Sequence, residues 1–359
     1  MTVTGRLVSK GVGVPGMTVT LSGDATATAQ TDAQGRYSFA GLRPGGAYTV
    51  IAAAPGWQFS PASRTYLECR YDRAADFEAA PETADAPPSA PLLGYVEVGG
   101  ESCAGCDPAP APGAASNMID AGTYFVAYHY LDFLGRGPDT SGLNFWKGEV
   151  ESCGADAACR EVKRINVSAA FFLSIEFQET GYLVYRLGLA SYGEPPKYRR
   201  FVADSRRLAT GVQVGIGEWR EKLAQNRREF AREWTQRAEF RAKYDALTDE
   251  QFVSALLSNA GLAPDAARAA ALVSGLRGGT LTRADVLLAV ADDEALKRRE
   301  TNRAFVLMEY YGYLRRDADA SGYGFWLGKL EQFGGNFVAA EMVKAFLNSD
   351  EYRKRFAQR

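Results

Sequence analysis

Five cysteines and one histidine are the residues of this 359-residue chain whose types could support distinctive chemistry. Cys103 and Cys106 form a C-x-x-C pair, a spacing that occurs in redox centres and zinc sites. A zinc site needs a second such pair, and a redox site needs a helix start in a thioredoxin-like setting; the Pro-rich surroundings provide neither. We therefore expect a structural disulfide, either within this pair or from one of its members to Cys69. One cysteine of the three would then remain for pairing between molecules.

His129 is the only histidine, which argues against most metallohydrolase and Ser–His–Asp sites within a single chain. It lies between two tyrosines in a helical pattern, and we interpret it as a packing or surface residue. A glycosidase would need two carboxylates ~5–10 Å apart in a cleft, and no motif provides such a pair. We therefore predict no catalytic residue and no bound cofactor; a glycosidase-type enzyme is the least favoured alternative.

An acidic segment near the C-terminus is the one candidate for a metal ion. Asp317, Asp319 and Ser321 are spaced like the first half of a calcium-binding EF-hand loop. Such a loop needs a bidentate acid at its twelfth position, which here is Gly328. The similar segment earlier in the chain has Gly137 in place of Asp317. We therefore interpret the segment as a turn followed by a helix cap, with a calcium site as the alternative.

The overall composition is that of an ordinary globular protein, with 46% hydrophobic and 23% charged residues. A net charge of −2 lacks the basic footprint that nucleic-acid binding requires. No apolar run approaches the ~18 residues that a membrane helix needs. Because β-patterned sequence begins at Val3, we expect that any signal peptide has been removed from this chain.

Residues 1–80 show the alternation of apolar and polar side chains that is typical of strands with one buried face. Turn signals such as VPG at 14–16 and PG at 55–56 separate the runs. Short strands at this spacing predict a sandwich. The apolar positions of these runs are Val3, Leu7, Met17, Val19, Leu21, Tyr37, Phe39, Tyr48, Val50, Trp57 and Phe59.

The strings VTGRLVSKGVGVPGMTVTLSG and TDAQGRYSFAGL, the latter shortly before YTV, resemble carboxypeptidase regulatory-like and Cna B-type modules. The resemblance implies a transthyretin-like, seven-stranded sandwich that serves as a spacer, stalk or adhesin segment without an active site. Some relatives form an internal isopeptide bond through a lysine. Lys10 is the only lysine of the module, and IAAA at 51–54 stands where such relatives tend to carry Glu. We therefore predict no isopeptide bond.

Residues 81–118 are rich in Pro, Ala and Gly, which favours an extended linker over a packed core. Within the linker, 92–98 is a strand candidate that must find an edge to pair with. That edge could lie in its own sandwich, between the two domains, or in a neighbouring subunit through strand addition; the last is the minority hypothesis. The candidate assembly residues are Leu92, Leu93, Tyr95, Val96 and Val98.

Residues 119–359 are helical by pattern and contain divergent repeats at about 121–180, 181–300 and 301–359. FVAYHYLDFLGRGPDTSGLNFW (125–146) aligns with FVLMEYYGYLRRDADASGYGFW (305–326) at one constant offset. Each copy predicts a helix, a tight turn, a second helix capped by an Asp, a loop and a third helix. A Gly in the second helix allows another backbone to come close. The repeat motif is Asp139, Gly142 and Trp146 in the first copy and Asp319, Gly322 and Trp326 in the last.

Two further patterns belong to these repeats. The third helix of the first copy is predicted to place Val162, Ile165, Ala169 and Phe172 on one face. Each copy closes with an acid–aromatic step, SIEF at 174–177 and SDEY at 349–352, and RAEF at 237–240 belongs to a weaker central copy.

The strings SCGADAACREVKRINVSAAFFLSIEFQETGYLVYR and YLRRDADASGYGFWLGKLEQFGG resemble a domain-of-unknown-function family of secreted bacterial proteins, distantly similar to the phycobilisome linker fold. The resemblance covers about 120 to the C-terminus and implies a cell-surface setting with no assigned chemistry. The family carries the pair Cys153 and Cys159. This fact, the short loop between the two cysteines and an exported context predict a disulfide, with reduced thiols as the alternative.

The sequence thus predicts a multidomain protein, an all-β seven-stranded sandwich plus a larger all-α domain built from repeats. We predict an extracellular or cell-surface, non-enzymatic structural protein that assembles into a layer, sheath or filament with copies of itself or with other surface proteins. The alternative is an adhesin that binds glycans or a surface. Tyr182, Tyr185 and Tyr192 could form a sugar-stacking platform for it, although we favour packing as their role. We expect no nucleic-acid partner and no membrane span.

Overall fold

A computed structural model describes residues 1–54, 56–81, 95–98 and 117–356. It confirms the multidomain class, with an N-terminal β-sandwich and a larger helical part. The described residues contain more strand segments than the seven expected, since several short segments extend the two sheets. The strands are β1 (Val3–Ser9), β2 (Val12–Gly13), β3 (Thr18–Gly23), β4 (Ala27–Gln30), β5 (Arg36–Phe39), β6 (Tyr48–Ala53), β7 (Trp57–Ser60), β8 (Arg64–Leu67), β9 (Arg73–Ala74), β10 (Phe77–Pro81) and β11 (Tyr95–Val98).

Two sheets form the sandwich. In the first sheet, β1 pairs with β2 and β5 in antiparallel and with β9 and β10 in parallel orientation, and β7 pairs antiparallel with β10. The second sheet has the order β11-β8-β6-β3-β4, in which only the β11–β8 pair is parallel. β4 and β11 are therefore the two terminal strands of the second sheet.

Alternating apolar side chains fill the space between the sheets. Leu7 and Phe77 are paired in the first sheet, and with Val19 and Val50 of the second they belong to one core cluster. All four are almost fully buried, as the alternation in the sequence predicted. At the turn before β5, Gly35 has a φ of 77°, a left-handed conformation that favours glycine.

The linker strand β11 returns to its own sandwich. Val96 lies opposite Thr65 of β8 and is 5% exposed. Glu97 forms an ion pair with Arg73 at 2.8 Å, which fixes β11 to the segment that contains β9. Three pairing partners were considered for this segment, and the structure shows it paired with a strand of its own sandwich, β8. Leu92 and Leu93 lie outside the described residues.

Helices form the rest of the described chain. Two α-helices, α1 (Gly122–His129) and α12 (Glu294–Glu309), each continue into a five-residue π-helical turn, Tyr130–Leu134 and Tyr310–Leu314 respectively. A short 3₁₀ turn, Met118–Asp120, precedes α1. The α-helices are α1 (Gly122–His129), α2 (Thr140–Glu151), α3 (Ala157–Leu173), α4 (Ile175–Glu179), α5 (Gly181–Tyr192), α6 (Tyr198–Ala209), α7 (Trp219–Thr235), α8 (Ala238–Tyr244), α9 (Asp249–Asn259), α10 (Ala266–Arg277), α11 (Arg283–Ala291), α12 (Glu294–Glu309), α13 (Ala320–Gln332), α14 (Met342–Leu347) and α15 (Asp350–Lys354).

The chain divides into two compact units, and the division does not coincide with the change from strands to helices. The first unit comprises 1–168 and 344–359, and the second comprises 169–343. The sandwich therefore shares a unit with most of the first repeat and with the end of the last. The predicted boundaries at 80 and 118 divide the chain by type of fold and stay a prediction.

In the first unit, the C-terminal helix packs on the first repeat. The guanidinium of Arg353 donates to both carboxylate oxygens of Asp120, each at 2.8 Å. Arg355 pairs with Asp132 at 2.7 Å, and both side chains are almost fully buried. The ring of Phe356 lies 4.7 Å from that of Tyr128. These contacts join segments that are far apart in the sequence.

In the second unit, α5 is the central helix. All of its residues except the last are buried, and it packs against α6, α9, α11 and α12. The Nε of Arg186, a residue with 1% exposure, donates to the carbonyl of Ala291 at 2.7 Å. Among the helices of the described residues, none is long and apolar enough to span a membrane.

Candidate functional site

The same aspartate cap begins the second helix of the first and last repeats. Asp139 accepts a hydrogen bond from the backbone N–H of Gly142 at 2.8 Å, at the start of α2. Asp319 accepts one from Gly322 at 2.7 Å, at the start of α13. The predicted caps are thus present in both copies.

The two motif glycines make room for a tyrosine hydroxyl. A Cβ atom at Gly142 would lie 2.2 Å from the hydroxyl oxygen of Tyr130, and one at Gly322 would lie 2.3 Å from that of Tyr310. We had expected another backbone at this place. Each tyrosine is the first residue of a π-helical turn, and its side chain, not a backbone segment, lies beside the glycine.

An arginine completes the turn in each copy. The guanidinium of Arg136 lies 5.0 Å from the ring centre of Tyr130 and 3.9 Å from the Asp139 carboxylate. Arg316 repeats both contacts, at 5.3 Å from the ring of Tyr310 and 3.7 Å from Asp319. Each copy therefore has the same four-residue arrangement: a tyrosine, an arginine, the capping aspartate and a glycine. This arrangement holds α2 and α13 in equivalent positions within their own repeats.

The capped helices expose an aromatic side chain to solvent. Phe145 and Phe325 occupy equivalent positions, and each is 60% exposed. The ring centres of Phe145 and Trp146 are 4.8 Å apart, and those of Phe325 and Trp326 are 4.9 Å apart. The two ring planes make an angle of 77° in both pairs. The same large apolar side chain is thus exposed at the equivalent position of the first and last repeats.

Small residues surround these rings. Ser141 and Gly148 flank Phe145 along α2, and Ser321 and Gly328 flank Phe325 along α13. A Cβ atom at either glycine would meet nothing within 4 Å. The exposed phenylalanine therefore has only small side chains beside it on its helix. We call Phe145 with Trp146, and Phe325 with Trp326, the two aromatic pairs.

The central repeat has the cap but lacks the aromatic pair. Asp265 caps α10 by accepting from the backbone N–H of Arg268 at 3.0 Å. Counted from this cap, Ala271 and Leu272 stand where the other copies have Phe and Trp. The capped helix thus belongs to all three copies, and the aromatic pair belongs to two of them.

The calcium candidates serve in local hydrogen bonds. Asp319 caps α13 and also accepts from the hydroxyl of Ser321 at 2.8 Å. Asp317 accepts from the backbone N–H of Tyr198 at 2.8 Å. No group of three or more His, Cys, Asp or Glu suited to a metal ion occurs within the described ranges. The arrangement matches the turn and cap that we favoured, and calcium stays an untested alternative.

The structure explains why the first repeat has glycine in place of Asp317. A Cβ atom at Gly137 would lie 1.6 Å from the hydroxyl oxygen of Thr49 in β6. Thr49 is fully buried and shares a 2.8 Å hydrogen bond with Thr65. The sandwich therefore packs against the first repeat at a place where only a glycine fits.

One predicted disulfide is present. Cys153 and Cys159 are bonded, with their Cα atoms 5.6 Å apart. Cys69 is a thiol with 0% exposure in the sandwich core, so of the two pairings left open the one that joins Cys69 to Cys103 or Cys106 is not formed. Burial also excludes Cys69 as the cysteine that pairs between molecules. Cys103 and Cys106 lie outside the described residues.

Equivalent positions in the first and last repeats hold two buried titratable groups. His129 is 1% exposed, and its Nδ1 lies 2.7 Å from the carbonyl oxygen of Phe125; burial lowers its pKa to about 4. Glu309 is also 1% exposed, and burial raises the pKa of its carboxyl well above the usual value. Its Oε2 has no hydrogen-bond partner among the described residues. A fully buried carboxyl cannot contact a substrate.

The tyrosines considered as a sugar platform are packing residues. Tyr182 and Tyr185 are 2% and 3% exposed, and Tyr185 donates to the Glu300 carboxylate at 2.9 Å. Tyr192 is half-buried and lies 6.2 Å from the ring of Trp234. The packing role that we favoured is therefore observed. Sequence reasoning missed the exposed rings at 145 and 325, whose only signal was their recurrence in the FW step of both copies.

A polar groove of about 480 Å³ lies in the first unit, beside the start of α1. Its charged groups are largely paired with one another. Asp120 is paired with Arg353, and the side chain of Lys344 lies 2.5 Å from that of Glu161. The pKa of Asp120 lies below its usual value because Arg353 donates to it. A carboxylate held ionised in this way is a poor proton donor.

Comparisons with known proteins agree with both parts of the fold. Residues 2–78 match the family described as Carboxypeptidase regulatory-like domain. Residues 231–299 and 290–356 match Domain of unknown function (DUF4214), which covers the last and part of the central copy but not the first. These matches indicate an extracellular or surface protein. The resemblances to Cna B-type modules and to the phycobilisome linker fold stay predictions.

One curated relative shares a short segment. Chitinase ChiA of Flavobacterium johnsoniae is 46% identical over 66 residues, which are 18% of this chain and 4% of that protein. The chain therefore spans a very small part of that relative. No solved structure matches.

Proposed function

We propose that this chain is a non-enzymatic extracellular surface protein that works by protein–protein assembly into a layer, sheath or filament. The observation that carries the proposal is the pair of open edges of the five-stranded sheet, at β4 and at β11. Within the described residues, each terminal strand pairs on one side only. Open edges present unpaired N–H and C=O groups to another chain.

β4 lacks the devices that usually protect a sheet edge. Its sequence, ATAQ, contains no charge and no proline, and three of its four residues are exposed. Natural edge strands are commonly blocked by lysine, proline or a bulge. β4 is therefore suited to receive a strand from another molecule.

β11 supplies the other edge. It comes from the linker segment in which the sequence predicted a strand, with pairing to a neighbouring subunit as the minority hypothesis, and its inner side is already paired with β8. Strand addition between β4 of one copy and β11 of the next would extend the sheet in one direction. Such head-to-tail contacts generate rings or open filaments.

The comparisons support the setting of this proposal. Residues 2–78 match a carboxypeptidase regulatory-like domain, and the family matched by 231–299 and 290–356 has no known function. The name of the chitinase relative describes that protein's activity, and the shared segment is 4% of its length. The match supports one point only: a segment similar to part of this chain occurs in a protein named as a chitinase, an enzyme that acts on a polysaccharide.

Negative-stain electron microscopy with light scattering on the oxidised protein tests the assembly. We expect regular fibres, tubes or sheets and a mass well above the 38.9 kDa of one chain. A single species of one-chain mass at all concentrations would contradict the proposal.

A carbohydrate- or surface-binding adhesin is the second candidate. The two aromatic pairs favour it, because exposed rings at repeated positions suit a repeated ligand. A glycosidase is the least supported alternative. It would need a reachable acid with a raised pKa; among the described acidic residues Glu309 has a raised pKa, and its carboxyl is fully buried.

A further inference from the structure

We propose that each aromatic pair is a binding site for one ring of a neutral, gluco-configured saccharide. This inference deepens the second candidate function and rests on it. It assigns one site to α2, at Phe145 and Trp146, and one to α13, at Phe325 and Trp326. The central repeat, with Ala271 and Leu272 at these positions, receives no site.

The geometry of the rings suits such a sugar. In each pair the two planes meet at 77°, so that they form an apolar corner with one wall 60% exposed. A gluco-configured pyranose has equatorial hydroxyls, which leave C–H groups on both of its faces. One face can lie on the phenylalanine while an edge of the sugar meets the tryptophan. The contact is dispersive and needs no charged group.

The surroundings of the corner leave room for hydroxyl groups. Asn144 and Ser141 lie on the exposed side of α2 and can exchange hydrogen bonds with a sugar. The positions beside the rings include three glycines, which have no side chain to block a ligand: Gly148 on α2, and Gly324 and Gly328 on α13. A ligand ring can therefore approach the exposed phenylalanine of each pair, while at α13 the Nζ of Lys329 lies 5.6 Å from the ring centre of Trp326.

The size of the surface favours a sugar over a protein. A phenylalanine with 60% exposure offers roughly 100 Å² of apolar area. A stable protein interface buries about 800 Å² on each partner. The exposed neighbours of Phe145 along α2 are Ser141, Asn144 and Gly148, which contribute little apolar area. One pyranose face has the dimensions of one aromatic ring.

Titration calorimetry with defined hexasaccharides tests the sites. The probes are cellohexaose and the β-1,4-linked hexamer of N-acetylglucosamine, with a mannose hexamer, whose axial hydroxyl disturbs one face, as the comparison ligand. We expect two sites per chain for at least one gluco-configured probe and at least tenfold weaker binding of the mannose hexamer. Binding should also change the tryptophan fluorescence, because Trp146 and Trp326 are part of the corners.

Single-ring variants count the sites. Phe145→Ala and Phe325→Ala should each leave one site per chain, and the double variant should leave none. Leu173→Ala is the matched control, because Leu173 is 58% exposed but belongs to neither pair; two sites should remain. Circular dichroism and thermal melting should show that all four variants fold, since the substituted side chains are largely exposed.

Three results would overturn the inference. They are failure of the wild-type chain to bind either gluco-configured hexamer, two remaining sites in the double variant, and loss of self-association in the double variant without any saccharide binding. The last result would assign the rings to a second copy of the chain. Each is distinguishable from failure of the proposed assembly, because microscopy of the unliganded wild-type protein tests assembly independently.

Discussion

The carboxylate of Asp24, in the sandwich, accepts two hydrogen bonds from Thr140, the first residue of α2. The backbone N–H of Thr140 lies 2.8 Å from Oδ1, and its hydroxyl oxygen lies 2.6 Å from Oδ2. α2 thus begins with two aspartates, Asp139 from its own chain segment and Asp24 from the sandwich. An anion at a helix N-terminus is favourable, so this contact stabilises the packing of the module on the repeat.

We predict that Asp24→Ala lowers the free energy of unfolding by about 2 kcal/mol, because hydrogen bonds to a charged group are lost. Burial raises the pKa of Asp24, but the hydrogen bonds from Thr140 and Ala47 outweigh it, so the pKa lies below 3.8. The stabilisation is therefore present above pH 3.8 and is lost as the pH falls through the folded-state pKa. Urea unfolding at pH 7 and pH 3 measures it. A double-mutant cycle with Thr140→Val should give a coupling energy; additive effects would contradict the account.

We predict that Gly137→Asp, which copies the last repeat, destabilises the first unit by more than about 2 kcal/mol. The new side chain would collide with Thr49, a buried residue that cannot move aside. Gly148→Ala is the matched control on α2. Its Cβ meets no atom within 4 Å, and we expect it to be neutral or to stabilise by up to about 1 kcal/mol. Equal thermal shifts for the two variants would refute the proposed contact.

We predict that Glu309→Gln stabilises the second unit at neutral pH and has little effect near pH 4. In the folded protein the pKa of Glu309 is raised, so the unfolded state releases its proton first as the pH rises above 4.5. The wild-type chain should then lose up to about 1.4 kcal/mol per pH unit while the folded state remains protonated. Hydrogen exchange across α12 measures this loss. A pH-independent difference between variant and wild type would contradict it.

We predict that His129 affects the pH dependence of stability in the opposite direction to Glu309: it destabilises the first unit at acid pH, not at neutral pH. Burial lowers its folded-state pKa from 6.5 to about 4, so its contribution is present above pH 6.5 and is lost as the pH falls toward 4. His129→Gln should remove this part of the acid sensitivity. Urea unfolding of both proteins between pH 4 and pH 7 measures the effect, and parallel curves would show that His129 is not the cause.

The disulfide should contribute about 2 kcal/mol, the value expected from closing its seven-residue loop. Cys153→Ala with Cys159→Ala should therefore lower the free energy of unfolding by that amount. Peptide mapping after alkylation of the native protein should show label at 153 and 159 only when a reductant is present. Cys69 is an internal control, since its burial should prevent labelling until the chain unfolds. Labelling of the pair without reductant would mean that the bond is absent.

The sequence allowed much of the local structure to be predicted. The alternation at Tyr37 and Phe39 predicted a buried strand face, and both rings are buried. The caps at Asp139 and Asp319 followed from their position before the repeated helices. These features depend on neighbours within a few residues, which is the range that a pattern can report.

Features that depend on distant parts of the chain were not predictable. Val162 was predicted to share one helix face with Phe172, yet Val162 is 50% exposed and Phe172 is 1% exposed. Helical spacing shows which residues share a face, but it does not show whether another element covers that face. The same limit applies to Phe145, whose exposure depends on what packs beside α2. The contact between Gly137 and Thr49 likewise joins segments that have no sequence pattern in common.

Sedimentation velocity of the wild-type chain and of Thr28→Lys, across a concentration series, tests the assembly claim most directly. Thr28 is exposed at the centre of β4, where a lysine would block strand addition without entering the core. Val12→Lys is the control, because Val12 is 70% exposed in the other sheet. We expect the wild-type protein and the control to form large species as concentration rises, and Thr28→Lys to remain at the mass of one chain. A wild-type protein that stays monomeric, or a Thr28→Lys variant that assembles as well as the control, would contradict assembly through the β4 edge.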